Sequence, residues 1–198
     1  MALYVVRHGQ TGANKSGLLL GRADPELDDL GRRQAEAIGQ VIPGNAVVVS
    51  SPLKRCVQTA QLLSLNDDSD DVRVDDRLLE LDYGDLDLTP LRDVPDSTWR
   101  EWQSDPDYRP VNGETLNELA IRVESCLQDL WAEAASGDVV VVTHVSPIKA
   151  SVAWALGVPI DISWRCFVSQ ASITKIGSGS GGPSLHWFND THHLDGVI

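Results

Sequence analysis

Leu3-Tyr4-Val5-Val6 runs directly into Arg7-His8-Gly9-Gln10-Thr11. A short apolar run bounded by a turn signal reads as a buried strand. Open α/β sheets hold ligands just beyond the carboxyl ends of their strands. His8 therefore stands where a reactive side chain is both rigidly held and reachable. Arg7 adds a permanent cation with a forked set of donors. Gly9 lets the backbone come close to whatever His8 touches.

The same pattern recurs. Ala46 to Val49 reads as a second buried strand, followed by Ser50-Ser51-Pro52. A serine cap with proline in the first helical position opens a helix that runs to about Leu65. Val139 to Thr143 is the most strongly β-branched run and reads as a central strand, with His144 at its carboxyl end. Between the first two strands, Thr11 to Pro25 reads as loop. A helix from about Leu30 to Val41 is capped by Asp28 or Asp29 and broken at Pro43-Gly44-Asn45. Strand and helix alternating through short connections give βαβ units and a largely parallel sheet.

Farther along, Asn66 to Asp71 reads as a solvated surface loop, because a calcium loop needs spaced oxygen ligands, a glycine and a distant glutamate. Val72 to Val74 is a short strand. Gly84 to Asn112 holds Pro90, Pro95, Pro106 and Pro110 with Trp99 and Trp102. A mostly irregular stretch of this length inside a compact domain reads as a lid or specificity insert, with one short helix near Ser97–Gln103. Its tryptophans read as the insert's own core. Thr115 and Glu118 form a capping box for a long amphipathic helix that ends before Gly137. Ser146-Pro147 opens another helix to about Leu156, Ser146 being read as its cap. Arg165 to Ile176 and Leu185 to Phe188 form a closing hairpin around the glycine-rich turn Gly177–Gly182.

Composition removes several function classes. The net charge of −13 argues against a general nucleic-acid binder. It allows a small anionic substrate, provided a few arginines raise a local positive field. No apolar stretch is long enough for a membrane span. The amino terminus enters the first strand without an export signal. Cys56, Cys126 and Cys166 are scattered and odd in number, so the reading is a reduced, cytoplasmic protein without a disulfide framework. None has an arginine six residues later, which excludes a Cys-x5-Arg thiolate loop. The adjacent pair His192-His193 reads as packing in the C-terminal segment, and no metal site is expected. A chain of 198 residues forms one domain, 1–198, with 84–112 as an insert within it. Oligomeric state is not legible, and a homodimer is compatible with the sequence.

Arg55 lies in the first turns of the helix after the second strand, where free N–H groups already favour an anion. If the strands are neighbours, two arginines and two histidines point at one spot, which is phosphate-binding chemistry. Arg7-His8-Gly9-Gln10-Thr11 with Asn14, Ser50 to Arg55 with Thr59-Ala60, Glu80 with Gly84, and Val142-Thr143-His144 together resemble the histidine phosphatase superfamily, the phosphoglycerate mutase-like family. The ordered set spans Leu3 to about Ile148. Gly21-Arg22-Ala23-Asp24 and Gly113-Glu114-Thr115 resemble its secondary motifs.

The resemblance implies a three-layer α/β fold, with helices on both faces of a mostly parallel sheet. It implies His8 as the nucleophile, with Arg7, Arg55 and His144 binding phosphoryl oxygens and Asn14 supporting them. Glu80 is implied as the general acid. Asp82 is its rival, and the spacing to Gly84 favours Glu80. Arg22 either reaches the substrate or braces its loop. No cofactor is implied, and the partner is a small phosphorylated substrate. Two departures stand out. Leu86-Asp87-Leu88 replaces the frequent Trp-Glu-Gly, and Val145-Ser146 replaces the frequent glycines after His144, which leaves open whether Val145 or Ser146 completes the pocket. The activity implied is a metal-independent phosphomonoester hydrolase. A phosphoglycerate mutase is the alternative, less favoured because Glu80-Leu81-Asp82-Tyr83-Gly84 lacks the mutases' arginine. A phosphoprotein phosphatase and a non-catalytic phosphate binder rank lower.

Overall fold

The chain folds around one central sheet in which the strand that carries Arg7 and His8 has a neighbour on each side. The computed structural model describes residues 1–63, 72–179 and 181–197. The acidic run Asp67–Asp71 lies outside the described residues. The strands are β1 (Ala2–Arg7), β2 (Val47–Ser50), β3 (Arg73–Val74), β4 (Val139–Thr143), β5 (Ile173–Gly179) and β6 (Gly182–Asp190). Their order is β3-β2-β4-β1-β5-β6. The pairs β2/β3, β2/β4 and β1/β4 are parallel, and β5 and β6 close the sheet antiparallel.

The helices are α1 (Gly12–Lys15), α2 (Asp29–Gly39), α3 (Lys54–Leu62), α4 (Asp96–Ser104), α5 (Leu116–Glu133) and α6 (Val145–Leu156). Alternation along β1 and β4 sorts them into two layers. Leu3, Val5, Val139 and Val141 pack with α5 and α6, whereas Tyr4, Val6, Val140 and Val142 pack with α2 and α3. A strand covered on both faces reads as a nearly continuous apolar run, as the four valines of β4 do, and the buried Thr143 hydroxyl that ends it donates to the Leu78 carbonyl at 2.7 Å. Among the described residues no helix is long and apolar enough to cross a membrane.

Several sequence expectations are corrected. The loop after β1 contains the short helix α1, closed by a capping box between Thr11 and Asn14. The serine cap expected at Ser50-Ser51-Pro52 is absent, and α3 begins only at Lys54. The Ser51 hydroxyl is engaged with His144 instead, at 2.8 Å. Asp24, from a distant loop, accepts the Lys54 N–H at 2.6 Å. Ser146 does not cap α6, because His144 occupies the cap position and Ser146 is already helical. The segment from Arg165 to Ser172 is not strand. Arg165 ends a 3₁₀ turn, and β5 begins only at Ile173, pairing along Ala2–Val6. Thr115 and Glu118 form the expected capping box of α5, and Asp28 caps α2.

Gly9 makes its close approach to α2. A Cβ at Gly9 would lie 2.3 Å from the Gly31 carbonyl oxygen, and one at Gly31 only 2.1 Å from that of Gln10. These glycines let the loop carrying His8 rest directly on the start of α2. Gly31→Ala is therefore expected to lower stability by about 1–3 kcal/mol. The midpoint of urea unfolding measures this.

Candidate active site

Parallel pairing in register brings the two histidines together. Arg7 lies opposite Thr143, so the next residue on each strand, His8 and His144, emerges at the same level beyond the sheet. Their ring centroids are 5.2 Å apart with planes at 64°. His8 is 3 % exposed. Its Nδ1 lies 2.7 Å from the Gly9 carbonyl oxygen. A carbonyl only accepts, so Nδ1 carries the proton and Nε2 keeps its lone pair. Nε2 has no hydrogen-bond partner among the described residues. Thr59 Oγ1 accepts the Gly9 N–H at 3.1 Å and steadies the same turn.

His144 has the opposite tautomer. Arg55 Nε donates to its Nδ1 at 3.2 Å, so Nε2 carries the proton and donates to Ser51 Oγ. Both arginines are held by carbonyl oxygens rather than carboxylates. Arg55 is fully buried, and its Nη1 and Nη2 donate to the carbonyls of Ala23 and Gly21, each at 2.7 Å. Arg7 Nη1 donates to the Val168 carbonyl at 2.7 Å, and its buried Nε has no partner. Among the described residues neither guanidinium belongs to an ion pair, although the chain carries 29 acidic residues against 16 basic ones. Burial pushes the Arg7 pKa down to about 10.

Burial, and then the charges of Arg55 and Arg7, hold the His8 pKa well below 6.5. Burial and Arg55 do the same to His144. Both rings are therefore neutral in the folded protein at pH values where the unfolded chain takes up protons. Stability is full above about pH 6.5 and falls as pH drops below it, until the folded-state values are reached. Each histidine contributes up to about 1.4 kcal/mol per pH unit. Urea unfolding between pH 7.5 and 5.5 is expected to show this decline.

Glu80 enters from the other side. It accepts from the N–H groups of Leu81 at 2.8 Å, Val145 at 3.1 Å and Ser146 at 3.1 Å. The free N–H groups at the start of α6 thus point at this carboxylate, where a negative group is favoured. Val145 and Ser146 lie in the pocket wall, with their amides committed to Glu80. Asp82 is placed differently. Its Oδ1 accepts the Gly84 N–H at 2.9 Å, and its Oδ2 lies 3.9 Å from Arg22.

A cavity of about 280 Å³ opens over this group. Arg7, His8, Asn14, Glu80, Val145 and Ser146 are among the residues that line it. Asn14 Oδ1 accepts from the Thr11 hydroxyl at 3.0 Å, which leaves its amide N–H groups for a ligand. Arg55 and His144, expected at the phosphoryl oxygens, stand one layer behind His8 instead of in the wall. Arg22 is outside the wall as well and braces the loop through Asp82 and Glu114, the latter at 3.6 Å. The tryptophans are not only insert core: Trp102 is 1 % exposed, but it and Trp99 both line the cavity. His193 meets the Ala171 carbonyl at 2.9 Å.

Two supporting residues escape sequence reasoning. Asp87 accepts the N–H groups of Gly21 and Ala23, both at 2.7 Å, and so clips the loop whose carbonyls hold Arg55. Arg122 donates to the carbonyls of Arg77 and Glu80 at 2.7 and 3.1 Å while pairing with Glu114 at 2.6 Å. Its only sequence signal is a charge set between Leu119 and Val123 on the buried face of α5.

The family model for the histidine phosphatase superfamily (branch 1) matches residues 3–191. A bifunctional protein of Mycobacterium tuberculosis is 31 % identical over 203 residues, covering 97 % of this chain and 54 % of that protein. The chain thus spans about half the length of that curated relative. A phosphoserine phosphatase of Entamoeba histolytica, solved in complex with 3-phosphoglyceric acid, superposes with a TM-score of 0.87 at 27 % identity over 98 % of both chains. The mycobacterial glucosyl-3-phosphoglycerate phosphatase superposes at 0.82 with 31 % identity, covering 96 % of this chain and 99 % of that one.

Proposed function

Because this chain belongs to the histidine phosphatase superfamily, we propose that it hydrolyses a small phosphorylated metabolite through a phosphohistidine on His8, without a metal ion. The observation that carries this reading is the neutral His8 ring, with Nε2 unpartnered, lining a cavity together with Arg7, whose guanidinium, like that of Arg55 behind it, has no carboxylate partner among the described residues. The relatives named as phosphatases for phosphoserine and glucosyl-3-phosphoglycerate support hydrolysis of small phosphomonoesters.

In the first step Nε2 attacks phosphorus and the bond to the alcohol oxygen breaks. Glu80, having taken a proton from the bound phosphomonoester monoanion, passes it to that leaving oxygen. In the second step Glu80 takes a proton from water, whose oxygen attacks phosphorus. The P–N bond breaks, releasing phosphate and the neutral ring. Splitting one hard displacement into two is what a covalent intermediate provides. Phosphoryl transfer otherwise needs positioning and charge stabilisation. Arg7 supplies both at the oxygens through its free N–H groups. Arg55 and His144 act from behind, by field and by bracing. The insert at 84–112 covers the site, and the cytoplasm keeps the thiols of Cys56, Cys126 and Cys166 reduced.

A panel of phosphoglycerates, sugar phosphates, nucleotides and phosphopeptides, assayed with EDTA, tests this directly. Turnover with EDTA present, and an acid-labile, base-stable phosphoryl label on the protein, are expected. Activity only after a divalent metal is restored would overturn the metal-free mechanism. Transfer dependent on 2,3-bisphosphoglycerate and faster than hydrolysis would make the protein a mutase.

A further inference from the structure

The cavity is chemically divided. Arg7, His8, Asn14, Glu80 and Ser146 supply most of its hydrogen-bonding groups, and Ser163, Lys149 and the unpartnered Trp102 Nε1 supply others. The opposite walls are formed by Leu18, Leu91, Leu116, Trp99, Trp102 and Trp164. Trp99 and Trp102 stack with centroids 5.8 Å apart and planes at 28°. Trp164 meets Trp99 edge-on at 6.4 Å and 85°. Trp102 is sealed into the core, whereas Trp99 and Trp164 are half-buried. These residues come from four separate parts of the chain: the stretch after α1, the insert, α5, and the 3₁₀ turn Ile160–Arg165. The single charge on this side is Lys149, whose Nζ lies 5.9 Å from the Trp164 ring centroid and has no carboxylate partner among the described residues.

Such walls suit a flat apolar body. Aromatic rings prefer stacked and edge-on neighbours of this kind, and apolar surface removed from water is stabilising in proportion to its area. A polyhydroxylated alcohol would instead set most of its hydroxyl groups against leucine and tryptophan, where Ser163, Lys149 and Trp102 Nε1 are too few to pair them all, and each unpaired hydroxyl costs stability. We propose that the leaving alcohol is ring-bearing and largely apolar, so that the substrate is the phosphomonoester of an aromatic alcohol, seated against the wall that Trp99 and Trp164 form together. This deepens the phosphatase reading and rests on it.

The test compares 2-phenylethyl phosphate with glycerol 3-phosphate. Both release an alkyl alcohol, so intrinsic leaving-group reactivity is matched. A kcat/KM about 30-fold higher for the phenyl ester is expected, and Trp164→Ala should shrink that ratio to about 3-fold. Equal values, or a preference for glycerol 3-phosphate, overturn the proposal. Titration of the unmodified protein with 2-phenylethylphosphonate and 2-hydroxyethylphosphonate reads the same subsite without turnover. Tighter binding of the phenyl compound supports the proposal, and equal or weaker binding refutes it. If the protein hydrolyses neither ester nor p-nitrophenyl phosphate, the phosphatase reading fails, and the phosphonate titration still decides the subsite.

Discussion

His8→Ala is expected to reduce hydrolysis of every phosphomonoester by at least about 10⁴-fold. The variant loses the His8 ring nitrogen that keeps its lone pair at the cavity wall, and water at the same place lacks both the positioning and the covalent route. Binding should respond differently. Arg7, Arg55 and Asn14 stay in place, because their partners are the Val168, Ala23 and Gly21 carbonyls and Thr11. Inorganic phosphate is therefore expected to bind the variant within a few-fold of the unmodified protein. Steady-state assays paired with phosphate titration separate the two effects. Residual turnover within tenfold of normal would show that the ring is not the nucleophile. Loss of phosphate binding with normal unfolding behaviour would show that His8 itself is the main phosphate ligand.

The Glu80→Gln variant should show a loss that depends on the leaving group. An alkoxide departs poorly without a proton, so alkyl phosphates are expected to slow by about 10²–10⁴-fold. p-Nitrophenyl phosphate releases a stable anion, so its first step should change by less than about tenfold. Water activation in the second step still suffers, and a burst of one p-nitrophenol per protein followed by slow turnover is expected. The substitution also sets an amide NH₂ against donors, since the carboxylate now receives three N–H groups from Leu81, Val145 and Ser146. A moderate drop in stability, on the order of 1–3 kcal/mol, accompanies it. Asp82→Asn should keep the normal leaving-group dependence, because Asp82 serves Gly84 and Arg22. If Asp82→Asn showed the burst and Glu80→Gln did not, the two acids would exchange roles.

The arginines illustrate how a negative chain handles an anion. Several arginines in this protein face a carboxylate, as Arg77 does with Asp75 and Asp129, both at 2.7 Å. Arg7 and Arg55 are held by neutral carbonyls instead. A carbonyl dipole fixes the guanidinium without cancelling its charge, so the positive potential remains for a phosphoryl group. Asp87 reaches Arg55 only through backbone, by holding Gly21 and Ala23. A carboxylate in direct contact would quench the field that this arrangement preserves.

The sequence by itself determined the strands, most of the helices and the placing of His8, the proposed nucleophile, directly after a strand. Those follow from local rules: apolar runs, the caps at Asp28 and Thr115, and a histidine directly after a strand. It also put Glu80 ahead of Asp82 through the spacing to Gly84. Tertiary structure alone decided where the helix N-termini find their partners. Ser51 and Ser146 carry ordinary capping signals, yet the start of α3 is served by Asp24 and that of α6 by Glu80. It decided too that Arg55 and His144 stand behind His8, that Arg22 braces a loop, and that Gly9 lies against Gly31. Caps and periodicities act over a few residues, so they are legible in order along the chain. A buried charge or an unpaired N–H is satisfied by whatever group the fold brings near, and most of those partners here lie dozens of positions away.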